Sequence, residues 1–326
     1  MDALPLYALK FDPILKDKVW GGTKLKTHFG KQTDLPNVGE SWELSGVPGN
    51  ISVVNNGPLV GRDLNSLLKE YPHEILGKRL YQMHGPVFPL LFKFIDAALD
   101  LSVQVHPADE YAQKHHDSFG KSEMWYIMQA DDDADLIVDF KEKVSKEHYE
   151  QALADKALGD LLNFHKVKAG DSYFIEPGTI HAICGGVMVA EIQQTSDITY
   201  RVYDWDRPGT DGKMRELHRQ QALDVLNFEA PNDQYLNYDK AVNSSNSVCE
   251  SPYFDTRFLP LNEEKRHDLS DTDSFVVYMC VSGQATIELD GVYTALIKGQ
   301  TAMVPAAATE IVIKTDGVEL LEVRVP

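Results

Sequence analysis

The sequence has few cysteines, no long apolar run and no glycine-rich dinucleotide-binding pattern. Its three cysteines lie far apart and form no C-x-x-C pair, which excludes a disulfide framework and a zinc ribbon. The most apolar stretch, residues 87–105, is interrupted by Lys93, Asp96 and Asp100, so no membrane span is predicted. The amino terminus has no basic segment followed by an apolar run, which favours a cytoplasmic location.

Basic side chains are also scarce relative to acidic ones. The 326 residues carry 31 lysines and arginines against 50 aspartates and glutamates, a formal charge of −19. Binding to nucleic acid or to an anionic membrane rests on neutralising lysines and arginines, so neither is an expected partner. A small anionic ligand would require a local basic pocket. The length suggests two structural units at about 150 residues each.

The pattern of the chain is one of many short strands. Runs rich in Val, Ile, Phe and Tyr recur between Gly, Pro, Asn and Asp clusters, as in Leu101–Val105 and Leu136–Phe140. Helical periodicity occurs over 145–164 and 214–228 only. We therefore predict a mainly β fold, built of cupin-like jelly rolls in two β units with a few accessory helices.

Two β units are separated by a polar segment. Residues 231–251 interrupt the strand pattern and form the best candidate linker. The predicted division is a catalytic cupin-like domain at 1–240, with helical insertions, and a second, metal-free jelly-roll-like domain at 241–326.

A faint internal repeat relates the two units. Residues 167–181 align with 297–309, and both segments are predicted to form a turn at a glycine, then a strand, then a second turn at a proline. The first copy carries His181 four residues after its proline, whereas the second carries Thr309. If one unit holds a metal ion, the first is expected to hold it.

The run Leu101–Pro107 alternates apolar and polar side chains. The pleat of a strand places Ser102, Gln104 and His106 on one face, and Pro107 ends the strand beside the histidine. Taken alone, a histidine at a strand end is more often an ordinary surface residue.

Glu123 and His181 share this position at the end of a predicted strand. Each has a plain alternative, a solvated charge or a surface imidazole. Two imidazoles, a carboxylate and the nearby amide oxygen of Gln104 would nevertheless suit one divalent metal with an open position. The sequence contains no compact metal fingerprint such as H-E-x-x-H.

A further alternating run, residues 197–205, places Asp197, Thr199, Arg201 and Tyr203 on one face. A structural salt bridge between Asp197 and Arg201 is the simpler interpretation. An arginine in a β pocket also suits an anionic intermediate, because its charge persists at physiological pH. The lysines that would add positive charge, each of which has a surface alternative, are Lys93 and Lys121.

Several motifs in order along the first 210 residues resemble the type I mannose-6-phosphate isomerases, in a form similar to the short bacterial subgroup. Only 58 positions separate residue 123 from residue 181, where longer members carry a helical insertion. The motifs that carry the resemblance are Val19-Trp20-Gly21-Gly22, Leu91-Phe92-Lys93, Leu101 to Pro107, Gly120 to Tyr126, Pro177 to Ala182 and Thr199 to Asp204.

The resemblance implies a cupin fold and one zinc ion per chain. It implies Arg201 as the catalytic arginine, Trp20 as a lining residue and Asp197 as a neighbouring pocket residue. It further implies that the sugar phosphate is received by Lys93, Ser102 and Lys121. The metal ligands it implies are Gln104, His106, Glu123 and His181.

The implied chemistry is interconversion of mannose 6-phosphate and fructose 6-phosphate through a cis-enediolate, whose negative oxygen must be stabilised. Asp197, Lys121 and a metal-bound water remain alternatives for the base, and a hydride shift remains open. So do two other functions: a non-catalytic sugar-phosphate-binding cupin and an Fe(II) oxygenase. The oligomeric state and the range of hexose phosphates accepted are not predicted.

Overall fold

The computed structural model describes residues 3–326. The strands, in chain order, are β1 (Ile14–Gly22), β2 (Val38–Ser45), β3 (Leu90–Ala97), β4 (Val103–Val105), β5 (Glu123–Ala130), β6 (Asp135–Phe140), β7 (Leu162–Lys166), β8 (Ser172–Ile175), β9 (His181–Ile183), β10 (Val187–Gln194), β11 (Tyr200–Tyr203), β12 (Asn246–Glu250), β13 (Asp255–Leu261), β14 (Lys265–Asp268), β15 (Val276–Leu289), β16 (Val292–Ile297), β17 (Thr301–Val304) and β18 (Glu310–Arg324).

Short helices connect some of these strands. They are α1 (Lys24–Thr27), α2 (Leu64–Glu70), α3 (Pro72–Leu76), α4 (Lys78–His84), α5 (Asp109–His116), α6 (Lys146–Ala154), α7 (Leu158–Leu161) and α8 (Arg219–Val225). Strands thus dominate, which confirms the prediction of a mainly β fold with few helices. Among the described residues, no helix is long and apolar enough to cross a membrane.

The described residues form three antiparallel sheets. The first has the order β1-β2-β3-β10-β5-β8, the second β11-β4-β9-β6-β7, and the third is built from β12 to β18. The first two sheets face each other and share an apolar layer, in which Ile95 and Trp125 of one sheet join Leu136 and Ile183 of the other. This pair of facing sheets encloses the candidate site.

Strand β5 is buried on both faces, which is why its sequence is almost continuously apolar. Trp125 and Ile127 point into the layer between the first two sheets. Met124 and Tyr126 point the other way, into a core shared with the third sheet. Because side chains alternate across a strand, Glu123 at its start lies on the Trp125 side.

The two units share this core. It includes Phe88, Phe92 and Phe94 from the first unit together with Phe275, which directly precedes β15, and Leu321 of β18. The segment around Leu9 also contacts the second unit, where its backbone forms two hydrogen bonds of 2.8 Å with Met303 of β17. The predicted boundary near residue 240 stays a prediction.

Two helical predictions were too long. The 145–164 periodicity gives α6 and α7, interrupted where Lys156 adopts a φ of +58°, and then strand β7 begins. The 214–228 periodicity gives only α8. The polar segment 231–251 also ends in a strand, β12, whose Asn246 amide caps neighbouring backbone carbonyls.

The internal repeat has matching local structure in both copies. Gly170 and Gly299 adopt φ values of +84° and +81°, and each precedes a four-residue strand, β8 or β17. The copies then diverge: His181 is fully buried at the start of β9, whereas Thr309 is exposed.

Candidate active site

Three potential metal ligands converge between the first two sheets. One ligand atom from each of His106, Glu123 and His181 lies within 4.8 Å of the others. The two Nε2 atoms are 3.2 Å apart. Glu123 Oε2 lies 3.6 Å from His106 Nε2, and its Oε1 lies 3.4 Å from His181 Nε2. Residues 75 positions apart in sequence are therefore placed around one point.

Both imidazoles are oriented by backbone carbonyl groups. His106 Nδ1 lies 2.9 Å from the carbonyl oxygen of Ile198, and His181 Nδ1 lies 2.9 Å from that of Thr179. A carbonyl oxygen only accepts, so each Nδ1 carries the proton and donates it. Each Nε2 is then left with its lone pair directed at the cluster, which is the arrangement that metal-ligating histidines use.

Burial keeps the two histidines neutral. Desolvation, with the nearby Lys121 ammonium contributing, lowers the pKa of His106 well below its ordinary value. Burial also lowers the pKa of His181, to about 4, although its hydrogen bond to Thr179 acts in the opposite direction. Neutral imidazoles are the form that binds a metal ion.

Glu123 is a buried carboxylate without well-aligned hydrogen-bond donors. The side chain is fully buried, and within the described chain its oxygens contact the Lys121 ammonium but accept no hydrogen bond of good geometry. Burial raises its pKa to about 7, against the opposing charge of Lys121, whose Nζ lies 3.1 Å from Oε2. A buried carboxylate with unused lone pairs is a costly arrangement that a bound cation would relieve.

Gln104 adds an amide group to the same cluster. Strands β4 and β9 pair in a register that sets Gln104 opposite His181, and the Gln104 amide lies 3.3 Å from His181 Nε2. The four residues predicted as metal ligands are thus neighbours, while their binding of a metal stays a prediction.

A cavity of about 410 Å³ opens beside this cluster. Gln104 and Lys121 belong both to its wall and to the cluster, so they connect the two. The residues predicted from sequence that line the cavity are Trp20, Lys93, Ser102, Gln104, Lys121, Asp197 and Arg201. The structure places none of the predicted site residues elsewhere.

Tyr203 does not follow Arg201 into this cavity, although simple alternation predicts that it would. The β11–β4 register shifts between Arg201 and Tyr203, and an irregularity of this kind turns the following side chain away. Tyr203 instead lines a second cavity, beside Asp204 and Leu217.

Sequence reasoning missed several lining residues. On β1, Lys16 and Lys18 line the cavity together with Trp20, and their two-residue spacing places all three on one face of the strand. On β2, Glu40 and Trp42 line the cavity and have the same spacing. That alternation was the available signal for all four. Glu191 and Arg215 also line the cavity, and no short-range pattern marks them.

Most cavity lysines are paired with buried acids. Lys93 Nζ lies 2.8 Å from Glu191 Oε1, 2.6 Å from Gln193 Oε1 and 5.2 Å from the centre of the Trp42 ring. Burial opposes its charge, but Glu191 and Glu40 outweigh burial and raise the pKa of Lys93. These contacts hold the ammonium charged at the cavity wall.

Glu40 is the acid that pairs with Lys18, at 3.0 Å. Burial would raise its pKa, but Lys18, Lys93 and the hydrogen bond from Trp42 Nε1 dominate and lower it to about 2. Glu40 is therefore ionised throughout the physiological range.

Arg201 differs from most of the cavity lysines because its hydrogen bond goes to a backbone carbonyl and not to a carboxylate. Its Nη1 donates to the carbonyl of Glu216 at 2.9 Å, while its buried Nε has no hydrogen-bond partner. Burial and the neighbouring Arg215 lower its pKa. Arg215 is held by Asp204, at 2.6 Å from its Nε. Within residues 3–326, Arg201 and Lys16 are the lining cations with no carboxylate at ion-pair distance.

Comparison with known proteins assigns the chain to a family. The family described as phosphomannose isomerase type I, catalytic domain, matches residues 8–142. The mannose-6-phosphate isomerase of Streptococcus mutans is 36% identical over 289 residues, 88% of this chain and 89% of that protein. The mannose-6-phosphate isomerase ManA of Bacillus subtilis is 37% identical over 257 residues, 78% of each chain.

The fold comparison agrees with the sequence comparison. The crystal structure of the mannose 6-phosphate isomerase from Bacillus subtilis superposes with a TM-score of 0.87 at 31% identity, covering 97% of this chain and 99% of that one. The similarity thus extends over both β units of this chain, and it covers between 78% and 99% of the relatives named here. The chain belongs to the type I mannose-6-phosphate isomerase family.

Proposed function

We propose that this protein interconverts mannose 6-phosphate and fructose 6-phosphate through a cis-enediolate, with one zinc ion per chain. The observation that carries the proposal is the His106, Glu123 and His181 cluster opening onto a cavity lined by cations. Family membership supports the substrate, because relatives of similar length carry this activity in their names.

The ligand set fits a divalent ion. Two neutral imidazoles whose Nε2 atoms carry no proton, a carboxylate that accepts no well-aligned hydrogen bond in the described chain, and an amide would hold it. This set suits zinc with a position left for substrate. When bound, zinc supplies Lewis acidity, polarising the oxygens of the sugar.

The remaining chemistry falls to side chains of the cavity. Arg201 lines the cavity and offsets the negative charge that develops when a proton leaves the carbon next to the carbonyl. Asp197 and Lys121 both line the cavity and remain the protein's candidates for carrying the proton between C1 and C2.

The cavity has the charge that a sugar phosphate requires. It is lined by four lysines and two arginines against three carboxylates, although the chain as a whole carries −19. Lys93, Ser102 and Lys121 are proposed to receive the phosphate, and Lys16 adds a cation with no acidic partner at ion-pair distance in the described chain. Trp20 forms part of the apolar wall.

Metal analysis and a coupled assay test the proposal. Purified protein is stripped with a chelator, reloaded with zinc or Fe(II), and assayed for fructose 6-phosphate formation and for oxygen uptake. The proposal expects isomerisation that returns with one equivalent of zinc and is absent in His106→Ala, which should also lose stoichiometric zinc. Sugar-phosphate binding without turnover would favour a binding protein, and iron-dependent oxygen uptake an oxygenase.

A further inference from the structure

A hydrogen-bonded pair of side chains contacts the backbone segment that directly precedes Glu123. Asp109 is the first residue of α5, three positions after His106, and Gln194 is the last residue of β10. Asp109 Oδ1 accepts a hydrogen bond from Gln194 Nε2 at 3.0 Å. We propose that Asp109 and Gln194 act as positioning residues that fix the segment carrying Lys121 and Glu123, and so set the metal affinity of the site.

The two side chains accept hydrogen bonds from the backbone amides on both sides of Lys121. Asp109 Oδ1 also accepts from the Gly120 amide at 2.8 Å, and Gln194 Oε1 accepts from the Ser122 amide at 2.9 Å. Between them, the Lys121 amide donates to the carbonyl of Pro107 at 3.0 Å. Three successive N–H groups are therefore fixed immediately before Glu123.

Close packing leaves this segment little freedom. A Cβ placed on Gly120 would lie 2.5 Å from the Asp109 nitrogen and 2.6 Å from the carbonyl carbon of Ala108. The residues that follow His106 and the residues that precede Glu123 are thus in direct backbone contact. A shift of one would move the other, and with it the separation of two ligands.

Glu123 depends on this segment because its carboxylate accepts no well-aligned hydrogen bond within the described chain. The ammonium that faces it, Lys121 Nζ at 3.1 Å, belongs to the same segment, so the position of the carboxylate follows the backbone there. Gln194 is itself buried, with 4% of its surface exposed, and a buried amide requires its partners. Loss of Asp109 would leave the Gln194 and Gly120 donors unpaired.

The proposal rests on the proposed metal site and is tested without relying on turnover. Asp109→Ala removes the acceptor, whereas Asp109→Asn keeps the Oδ1 acceptor. Asp273→Ala is a matched control, because Asp273 accepts from two backbone amides, Lys78 at 2.8 Å and Arg79 at 3.0 Å, next to the third sheet. Zinc affinity is measured by competition with a chromophoric chelator, and amide exchange in the metal-free protein by NMR or mass spectrometry.

We expect Asp109→Ala to weaken zinc binding about tenfold, the lower end for a residue that supports a metal ligand. Exchange at Gly120 and Ser122 should accelerate, while Asp109→Asn stays within about twofold of wild type. Asp273→Ala should lower stability and leave zinc affinity unchanged. Should Asp109→Ala fail to fold, Gln194→Met, which removes the acceptor of the Ser122 amide, should likewise weaken zinc binding and accelerate exchange at Ser122.

The proposal is overturned if Asp109→Ala or Gln194→Met loses stability but keeps wild-type zinc affinity and wild-type exchange at Gly120 and Ser122. Failure of the proposed function looks different. In that case the wild-type protein binds no stoichiometric zinc, while the exchange measurement still reports whether Asp109 holds the segment before Glu123.

Discussion

For the side chains of this site, the hydrogen bonds that are missing are as informative as those that are formed. His106 and His181 each use one ring nitrogen on a backbone carbonyl and keep the other free. Glu123 faces the Lys121 ammonium but accepts no well-aligned hydrogen bond within the described chain, and Arg201 keeps one buried N–H unpaired. Buried polar atoms without partners are rare in folded proteins, so these two groups indicate a binding site.

Removing the guanidinium of Arg201 should affect the chemical step rather than the metal. We expect Arg201→Ala to retain one zinc per chain and to lower kcat by about 100- to 1000-fold, with a much smaller change in KM, because the interaction forms mainly in the transition state. Steady-state kinetics with metal analysis measure this. Arg257→Ala, whose guanidinium pairs with Asp255, is the control. A wild-type kcat would remove Arg201 from the reaction.

Glu40 should make folding stability depend on acid pH. Its pKa is lowered from 4.5 to about 2 in the folded protein, so its stabilisation is present above pH 4.5 and is lost as the pH falls toward 2. Glu40→Gln should therefore cost about 3 kcal/mol at pH 7 and almost nothing at pH 2.

Urea denaturation at both pH values checks this expectation. Glu142→Gln, a change at an exposed loop position, should have little effect at either pH. An equal loss for Glu40→Gln at pH 7 and pH 2 would show that the ion pair with Lys18 does not govern the effect.

At the scale of elements, strand alternation made much of the site predictable. Ser102 and Gln104 lie on one face of the run that ends at His106, as the sequence pattern indicates, and the same rule applied to β1 would have added Lys16 and Lys18. Alternation failed at Tyr203 because a register shift intervenes.

Other parts of the site depend on long-range pairing and were not predictable. Glu191 contacts Lys93 because β10 pairs with β3, although the two residues are almost a hundred positions apart in sequence. The Gly120 amide reaches Asp109 at the start of α5 only because the chain after that helix returns to it. The helix over 145–164 was overestimated because Leu161 and Leu162 continue the apolar period into a strand.

The turn before β9 requires a glycine. Gly178 has a φ of +88°, and a Cβ there would lie 2.8 Å from the Val225 carbonyl oxygen. Its amide donates to the His106 carbonyl at 2.9 Å, so this turn links two ligand-bearing segments. We expect Gly178→Ala to lower the free energy of unfolding by about 1–3 kcal/mol.

Denaturant unfolding of Gly178→Ala and of a control measures this loss. In Gly159→Ala the new Cβ meets no atom within 4 Å and the backbone is helical, so its stability should match or exceed wild type. Equal stability of both variants and wild type would contradict the argument from backbone conformation.

At the scale of the whole molecule, the shared core predicts that the two β units unfold together. Phe88 and Phe275 come from different units, and their ring centres are 4.7 Å apart. Phe275→Ala should lower the free energy of unfolding by about 3–5 kcal/mol, and calorimetry should still show one transition. Tryptophan fluorescence should report that transition from the first unit, because Trp20, Trp42, Trp125 and Trp205 all belong to it.

Two resolved transitions would contradict a shared core, in particular if the tryptophan signal kept its wild-type midpoint in Phe275→Ala. The same outcome would favour the sequence-based division near residue 240 as a boundary between independently folding domains.

The central claim is that one metal ion is held where the first two sheets meet the cationic cavity. Anomalous diffraction at the zinc edge, from crystals grown with zinc, tests it directly. We expect one peak per chain, at about 2.0–2.2 Å from His106 Nε2, His181 Nε2 and a Glu123 oxygen. A map with no peak among these three side chains, or with its only peak elsewhere on the chain, would contradict the account.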